Sequence, residues 1–297
     1  MRKKLFRAQK LKGLGDGIKF LSSLRLSDFI PERPAIAEYT TNKSMGADCD
    51  IMAARFGIPR AEQDVYAMRS HQMAARAQKK GFLTEEMISV KFPPKFKDIK
   101  NDNGVRTDSK IDKLAQLQPA FDKKFGTLTA ANSSFLTDGA SALLLMSEDK
   151  AKYLGLIAKA EIIDFTFTGQ RLEDELLLGP AYAVYKLLNR QKMTFKDIDV
   201  IEFHEAFAGQ ILSNLKALAS DDFASKELGL KKSLGEVPME KFNLWGGSLS
   251  IGHPFGATGG RLLTTTCNRL KHEKGTYGLL AACAAGAHGH AMLVKTL

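Results

Sequence analysis

From residue 155 onward, apolar and polar positions change rhythm at regular intervals, and each change predicts an element. Residues 158–167 read as a strand and 179–189 as a helix with one apolar face. The run DVIEF at 199–203 is a short buried strand, and the 3.6-residue period returns over 205–219. A glycine-rich loop leads into a third helix at 256–271. Two apolar runs, 277–283 and 290–295, then close the chain, and the short link Ala284–Gly289 predicts an antiparallel hairpin. Strands alternating with helices argue for an α/β sheet covered on both faces.

The first half is less regular. Residues 60–80 are strongly helical, opening after Pro59 and closing before Gly81. Residues 91–125, rich in Lys, Pro and Asp, predict a loop-rich, partly exposed excursion. Residues 126–148 (GTLTAANSSFLTDGASALLLMSE) predict a β-rich segment with a turn at Asp138 and Gly139. Near the start, Leu11, Leu14, Ile18 and Leu21 recur at helical spacing, while Lys3, Lys4, Arg7, Lys10 and Lys12 crowd the same stretch. Three readings of this stretch stand side by side: a cleaved mitochondrial presequence, an amphipathic helix on anionic lipid, or a surface helix packed on its own domain. Pro31 and Pro34 end whatever helix precedes them.

Charge and cysteine content narrow the classes. The 43 Lys+Arg against 33 Asp+Glu leave a formal net charge of +10. Because the lysines are scattered without interleaved aromatics, a nucleic-acid partner is not expected; an anionic small substrate or an acidic lipid surface fits better. No run of about eighteen apolar residues is present, so no spanning helix is expected. Cys49, Cys267 and Cys283 lack CxxC or zinc-like spacing, so neither a metal site nor a disulfide framework is expected.

Three clusters stand where an α/β sheet places its sites, beyond strand ends. In HEAFAGQ (204–210), His204 sits at the exit of the DVIEF strand, where a neutral imidazole can donate to an oxyanion or hold a water, or simply cap and pack. In GGSLSIGHPFGATGGR (246–261), glycines such as Gly252 let backbone approach a ligand, and His253 is a base or oxyanion donor, or a turn histidine. No Gly-Lys-Ser/Thr follows, which excludes a P-loop. In CAAGAHGHA (283–291), Cys283 ends a buried strand before a run of tiny residues, and a thiol there suits proton exchange with a carbon acid if an imidazole tunes it. His288 and His290 are read as structural.

In this order and spacing, the three clusters resemble the C-terminal signatures of thiolases. QDVYAMRSHQMAARA (63–77) resembles the family's loop-domain helix, and GTLTAANSSFLTDGASA (126–142) its substrate-side loop. The wording EFHEAF is similar to the branch that forms the beta subunit of mitochondrial trifunctional enzymes. The resemblance implies a layered α/β/α thiolase fold divided as follows: 1–44, a basic, membrane-facing amphipathic segment; 45–125, a loop domain; 126–150, a remnant of the first half; 151–297, one complete βαβαβαββ half. It implies thiolytic cleavage of 3-ketoacyl-CoA by CoA in fatty-acid β-oxidation, with CoA as substrate, no cofactor, and a mitochondrial location. Implied partners are a second copy, a hydratase/dehydrogenase alpha subunit and an anionic membrane surface. By position, Cys283 matches the acid/base cysteine, His253 the histidine that activates the nucleophile, and His204 the water-holding residue. The N–H near Ala285 matches part of an oxyanion hole, and Ser134 matches a CoA-contacting serine. The family's nucleophilic cysteine has an Asn-Arg-x-Cys-like setting, which Cys49, in MGADCD, lacks; acidic neighbours raise a thiol pKa. The expectation is therefore a C-terminal part of a thiolase without the nucleophile segment. The alternatives are a non-catalytic half-thiolase that binds CoA, lipid or a partner subunit, and, less well matched, a ketoacyl synthase relative.

Overall fold

The computed structural model describes residues 11, 13–25, 28 and 37–297. The chain divides into two units, 1–36 and 37–297. Of the first, the described helix is α1 (Leu14–Ser22), which leaves Ile18 and Leu21 about two-thirds exposed. The basic positions Lys3, Lys4, Arg7, Lys10 and Lys12, and Pro31 and Pro34, lie outside the described residues.

The larger unit begins with α2 (Met45–Arg55), where the Ser44 hydroxyl caps the free amide of Ala47, and α3 (Arg60–Lys79), which starts behind Pro59. Inside the stretch expected to be loop-rich lie a small exposed hairpin, β1 (Val90–Phe92) with β2 (Lys97–Ile99), and a short helix, α4 (Ile111–Ala115). Residues 126–147 differ from expectation: they form no strand, make a turn at 130–132, and pair only through isolated bridges, Ser133 to Phe207 and Leu136 to His253. A strand needs a neighbour for its ladder, and 138–147 has none along its length. Leu143, Leu144 and Leu145 are exposed as a result, Leu144 by 77%.

From α5 (Glu148–Tyr153) onward the predicted alternation appears. The order is β3 (Ala160–Gly169), α6 (Gly179–Gln191), β4 (Val200–Phe203), α7 (Ala208–Ala219), α8 (Asp221–Leu228), α9 (Ser248–Ile251), α10 (Ala257–Glu273), β5 (Tyr277–Ala284) and β6 (His288–Thr296). The sheet runs β3-β6-β5-β4, with β4 parallel to β5 and β6 antiparallel to both β5 and β3. Successive side chains of a strand point to opposite faces, and the core divides accordingly. Ile201, Phe203, Leu279, Ala281, Ala291 and Leu293 pack with α6 and α7, whereas Val200, Leu280 and Val294 pack with Leu262, Leu263 and Leu270 of α10. The sheet is thus covered on both faces, the layering of a thiolase-like α/β fold.

In the place of the third strand of the βαβαβαββ pattern the chain makes only a stub. Phe242 bridges Ile201 in parallel, and then Asn243 turns left-handed (φ 46°). Its side-chain amide takes over the ladder, Oδ1 accepting from Phe203 N at 2.8 Å and Nδ2 donating to Phe203 O at 2.9 Å. On the other face of β4, Glu202 and Arg269 of α10 form a fully buried ion pair at 2.7 Å. Burial pushes the Glu202 carboxyl up to about 7 although the guanidinium draws it down. The pair fixes where α10 crosses β4 more than it stabilises the fold.

Candidate active site

His204 is placed by the sheet. Its N–H donates to Ala281 O at 2.8 Å and so continues the β4–β5 ladder one residue past Phe203. The chain then leaves the strand through Glu205, and Ala206 N–H is satisfied by the Gln210 side chain. His253 comes from the loop between α9 and α10. Gly252 makes that loop possible: its φ of +95° is one L side chains rarely adopt, and a Cβ there would overlap Thr137. The two imidazoles meet with ring centroids 4.1 Å apart.

Each ring is held by a hydroxyl. His204 Nδ1 pairs with Ser248 Oγ at 2.9 Å, and His253 Nδ1 with Thr258 Oγ1 at 2.7 Å. His204 is 2% exposed, and burial, the His253 ring and Arg261 hold its pKa well below the ordinary value. His253 is lowered to about 4 by burial and by Arg261. Both rings are therefore neutral near pH 7. Neutral imidazoles in this state suit hydrogen-bond donation better than proton uptake.

Cys283 lies on the neighbouring strand: the register sets Ala281 opposite Phe203, so the thiol-bearing residue stands beyond His204 at the same sheet end. It is 9% exposed, and burial pushes its thiol up to about 12. Ser134 is brought alongside by its backbone, its N–H donating to Ala206 O at 2.9 Å, while Leu136 bridges His253. Ala285 is exposed in the β5–β6 turn. The next amide, Gly286 N–H, is taken by the buried Glu38 carboxylate at 2.8 Å. The sequence candidates thus fall into a tight histidine pair and a thiol on the neighbouring strand, at the same end of the sheet. His290, by contrast, bonds Thr166 O and stacks on Phe167 in the sheet.

Cys49 is fully buried in α2. Burial, and after it the neighbouring carboxylate Asp50, holds its thiol far above the ordinary range. Cys267, on α10, is raised to about 11 by burial. None of the three cysteines is poised as a thiolate.

Sequence reasoning missed the residue that binds the site together. Glu205 is fully buried and accepts four hydrogen bonds: Tyr66 OH (2.8 Å), Ser70 Oγ (2.7 Å), Asn243 Nδ2 (2.8 Å) and Leu249 N (3.2 Å). It ties α3 and the α9 loop to the exit of β4. The signal was present: an acidic residue inside an apolar run must be buried with donors around it. Ser248, Thr258 and Arg261 gave no comparable signal, since each is an ordinary polar residue in a glycine-rich stretch.

Comparison with known proteins sets this geometry in context. The family model "Thiolase, N-terminal domain" matches residues 15–149, and "Thiolase, C-terminal domain" matches 156–296. The chain is 52% identical over 295 residues to the mitochondrial trifunctional enzyme subunit beta of Mus musculus, covering 99% of this chain and 62% of that protein. It is 48% identical over 294 residues to a probable 3-ketoacyl-CoA thiolase of Caenorhabditis elegans, covering 65% of that protein. The chain thus spans about two-thirds or less of the length of these relatives. Among solved structures it is similar to the Bacillus anthracis acetyl-CoA acetyltransferase (TM-score 0.77, 32% identity, 88% of this chain and 62% of that one). It is also similar to human mitochondrial 3-ketoacyl-CoA thiolase (TM-score 0.75, 26% identity, 88% and 61%).

Proposed function

Because this chain belongs to the thiolase family, we propose that the site around His204 and His253 serves the cleavage of a 3-ketoacyl-CoA by CoA, giving acetyl-CoA and a shortened acyl-CoA. The observation that carries the reading is the neutral His204–His253 pair at the sheet end that also holds Cys283. In that reaction a thiolate attacks the keto carbon and the oxygen becomes an oxyanion. The bond between C2 and C3 then breaks, its electron pair leaving on the acetyl-CoA carbon, and CoA later takes the acyl group from the attacking sulfur. The imidazoles supply hydrogen bonds to the oxyanion, directly or through a water. Cys283 gives its proton to the leaving carbon. A thiol pushed up to about 12 is in the protonated form this direction needs, and the carbanion is the stronger base. Ser134, Gly252 and the Ala285 amide are assigned to holding the CoA thioester. No cofactor or metal enters these steps.

By likeness to the mitochondrial trifunctional enzyme subunits, we assign the chain to the mitochondrion, with a second copy and a hydratase/dehydrogenase alpha subunit as partners. An anionic membrane surface is assigned to α1, which presents Ile18 and Leu21 beside Lys19. Ile18→Glu with Leu21→Glu is then expected to abolish salt-sensitive sedimentation with anionic vesicles; undiminished sedimentation removes the helix from that role.

A second reading, a non-catalytic thiolase-like subunit that binds CoA thioesters, is favoured by one observation: no cysteine here is poised to attack. Proton exchange at C2 of acetyl-CoA in D2O tests the first reading without requiring the covalent step. The chain is expected to bind acetyl-CoA and deuterate it, with Cys283→Ala losing exchange but not binding. Exchange that survives Cys283→Ala removes the cysteine from the mechanism. Binding without exchange leaves the second reading in place, and absence of binding refutes both.

A further inference from the structure

Ser248 sits at the first position of α9, fully buried, and its hydroxyl has two polar neighbours from different elements. Arg261 of α10 donates from Nη2 at 3.3 Å, and His204 Nδ1 lies at 2.9 Å on the other side. A guanidinium carries donors only, so at the first contact Ser248 Oγ must accept. That leaves the hydroxyl hydrogen to be placed. Ser248 is closed to solvent, and the acceptor within reach is His204 Nδ1, since a buried O–H left unpaired would cost about 1–3 kcal/mol. If Nδ1 accepts, the neutral ring carries its proton on Nε2. Arg261 adds a second constraint, because a proton on Nδ1 would face a hydroxyl already polarised by a cation.

We propose that Ser248 and Arg261 are positioning residues that hold His204 as the neutral tautomer protonated on Nε2, so that the ring always offers a donor on the side away from Ser248. The claim deepens the thiolase reading, because a donor at this place is what an oxyanion or a held water requires, and it rests on that reading for its catalytic meaning. The relay runs Arg261 Nη2–H to Ser248 Oγ, then Ser248 O–H to His204 Nδ1. Arg261 Nε and Nη1 are buried without hydrogen-bond partners among the described residues, so no carboxylate is hydrogen-bonded there, although the charge also acts on Glu86, Asp102 and Glu202. The side chain of Arg261 is half-buried at the foot of α10, and its charge lies close enough to both imidazoles to disfavour their protonation.

The tautomer can be read directly. In the full chain labelled with 15N-histidine, ring-nitrogen shifts separate an unprotonated acceptor from a protonated donor, and His204→Gln identifies the relevant signals among the six histidines. The wild type is expected to show His204 with acceptor-type Nδ1 and donor-type Nε2. Ser248→Ala is expected to move both shifts toward the tautomer average, and Ser248→Thr, which keeps the hydroxyl, to restore them. Arg261→Lys should keep the wild-type pattern and Arg261→Met should lose it. His290, fixed by Thr166 O on the far strand pair, serves as the internal reference for an intact fold. If Ser248→Ala disturbs His290 as well, the Ser248→Thr and Arg261→Met spectra decide. A wild-type His204 protonated on Nδ1, or a single-tautomer pattern surviving Ser248→Ala or Arg261→Met, overturns the proposal. Acetyl-CoA exchange is measured separately, so failure of the thiolase reading leaves the tautomer result standing, and the reverse also holds.

Discussion

Replacing Glu205 by glutamine is expected to destabilise the protein by about 3 kcal/mol, although the two side chains are nearly the same shape. The carboxylate accepts from four donors, two on each oxygen: Tyr66 OH and Asn243 Nδ2 on Oε1, Ser70 Oγ and Leu249 N on Oε2. A hydroxyl can rotate to become an acceptor, but an amide N–H cannot. If the new NH2 replaces Oε2 it faces Leu249 N–H. If it replaces Oε1 it faces Asn243 Nδ2, whose group is already fixed by Phe203. Either orientation loses one hydrogen bond to a carboxylate, worth ~1.5–3 kcal/mol, and leaves a buried donor unpaired, at about 1–3 kcal/mol. Part of this is recovered by relaxation, which leaves the figure near 3 kcal/mol, or a melting temperature lower by about 5 °C. Urea and thermal unfolding followed by fluorescence suit the question, because the sole tryptophan, Trp245, is buried two residues after Asn243 in the chain and stacks on Phe82 at 4.8 Å. Tyr66→Phe is the control: it removes one donor and leaves the other three, and should cost ~1 kcal/mol. A Glu205→Gln variant that unfolds within ~0.5 kcal/mol of the wild type would refute this account of the knot.

Gly252→Ala is expected to cost about 1–3 kcal/mol, since it strains a left-handed backbone and pushes a methyl into Thr137; because Thr137 Oγ1 accepts from His253 N, the same variant should weaken acetyl-CoA binding, measurable by calorimetry. His253 has a folded pKa of about 4 against an ordinary 6.5, so only the unfolded chain takes up this proton between those values. Stability should therefore fall as pH drops from about 6.5 to about 4, and His253→Gln should flatten that part of the curve. Leu144→Glu and Leu145→Glu, both exposed on the unpaired segment, should reduce self-association in light scattering without lowering the melting temperature.

What could be read from the sequence was whatever depended on local period. The helices at 60–79, 179–191 and 257–273 and the final hairpin are bounded by local signals such as Pro59, Gly81 and Pro180, and they form within a few residues of expectation. The histidine pair was legible because each ring stands next to a strand end or a glycine turn. The segment 126–147 looked like strand because its residues favour strand, but pairing is a property of neighbours rather than of composition. The third strand of the half was masked for a similar reason: Asn243 ends it after one bridge and completes the ladder with a side chain, which no periodicity records. Ser248, Arg261 and Glu38 matter through partners 44, 13 and 248 positions away, distances over which a single sequence gives no pairing information.

The Glu205 knot also bears on the order of assembly. Its donors at Tyr66 and Ser70 lie 139 and 135 positions upstream, so a long stretch of chain must be closed before they can reach it. Until α3 arrives, a carboxylate waits at the end of β4 with half its donors missing, and the sheet cannot seal over it. Docking of that early helix and completion of the late pocket are then one event. A cut in the segment between the two thiolase-domain matches should accordingly leave two fragments that remain associated and melt together.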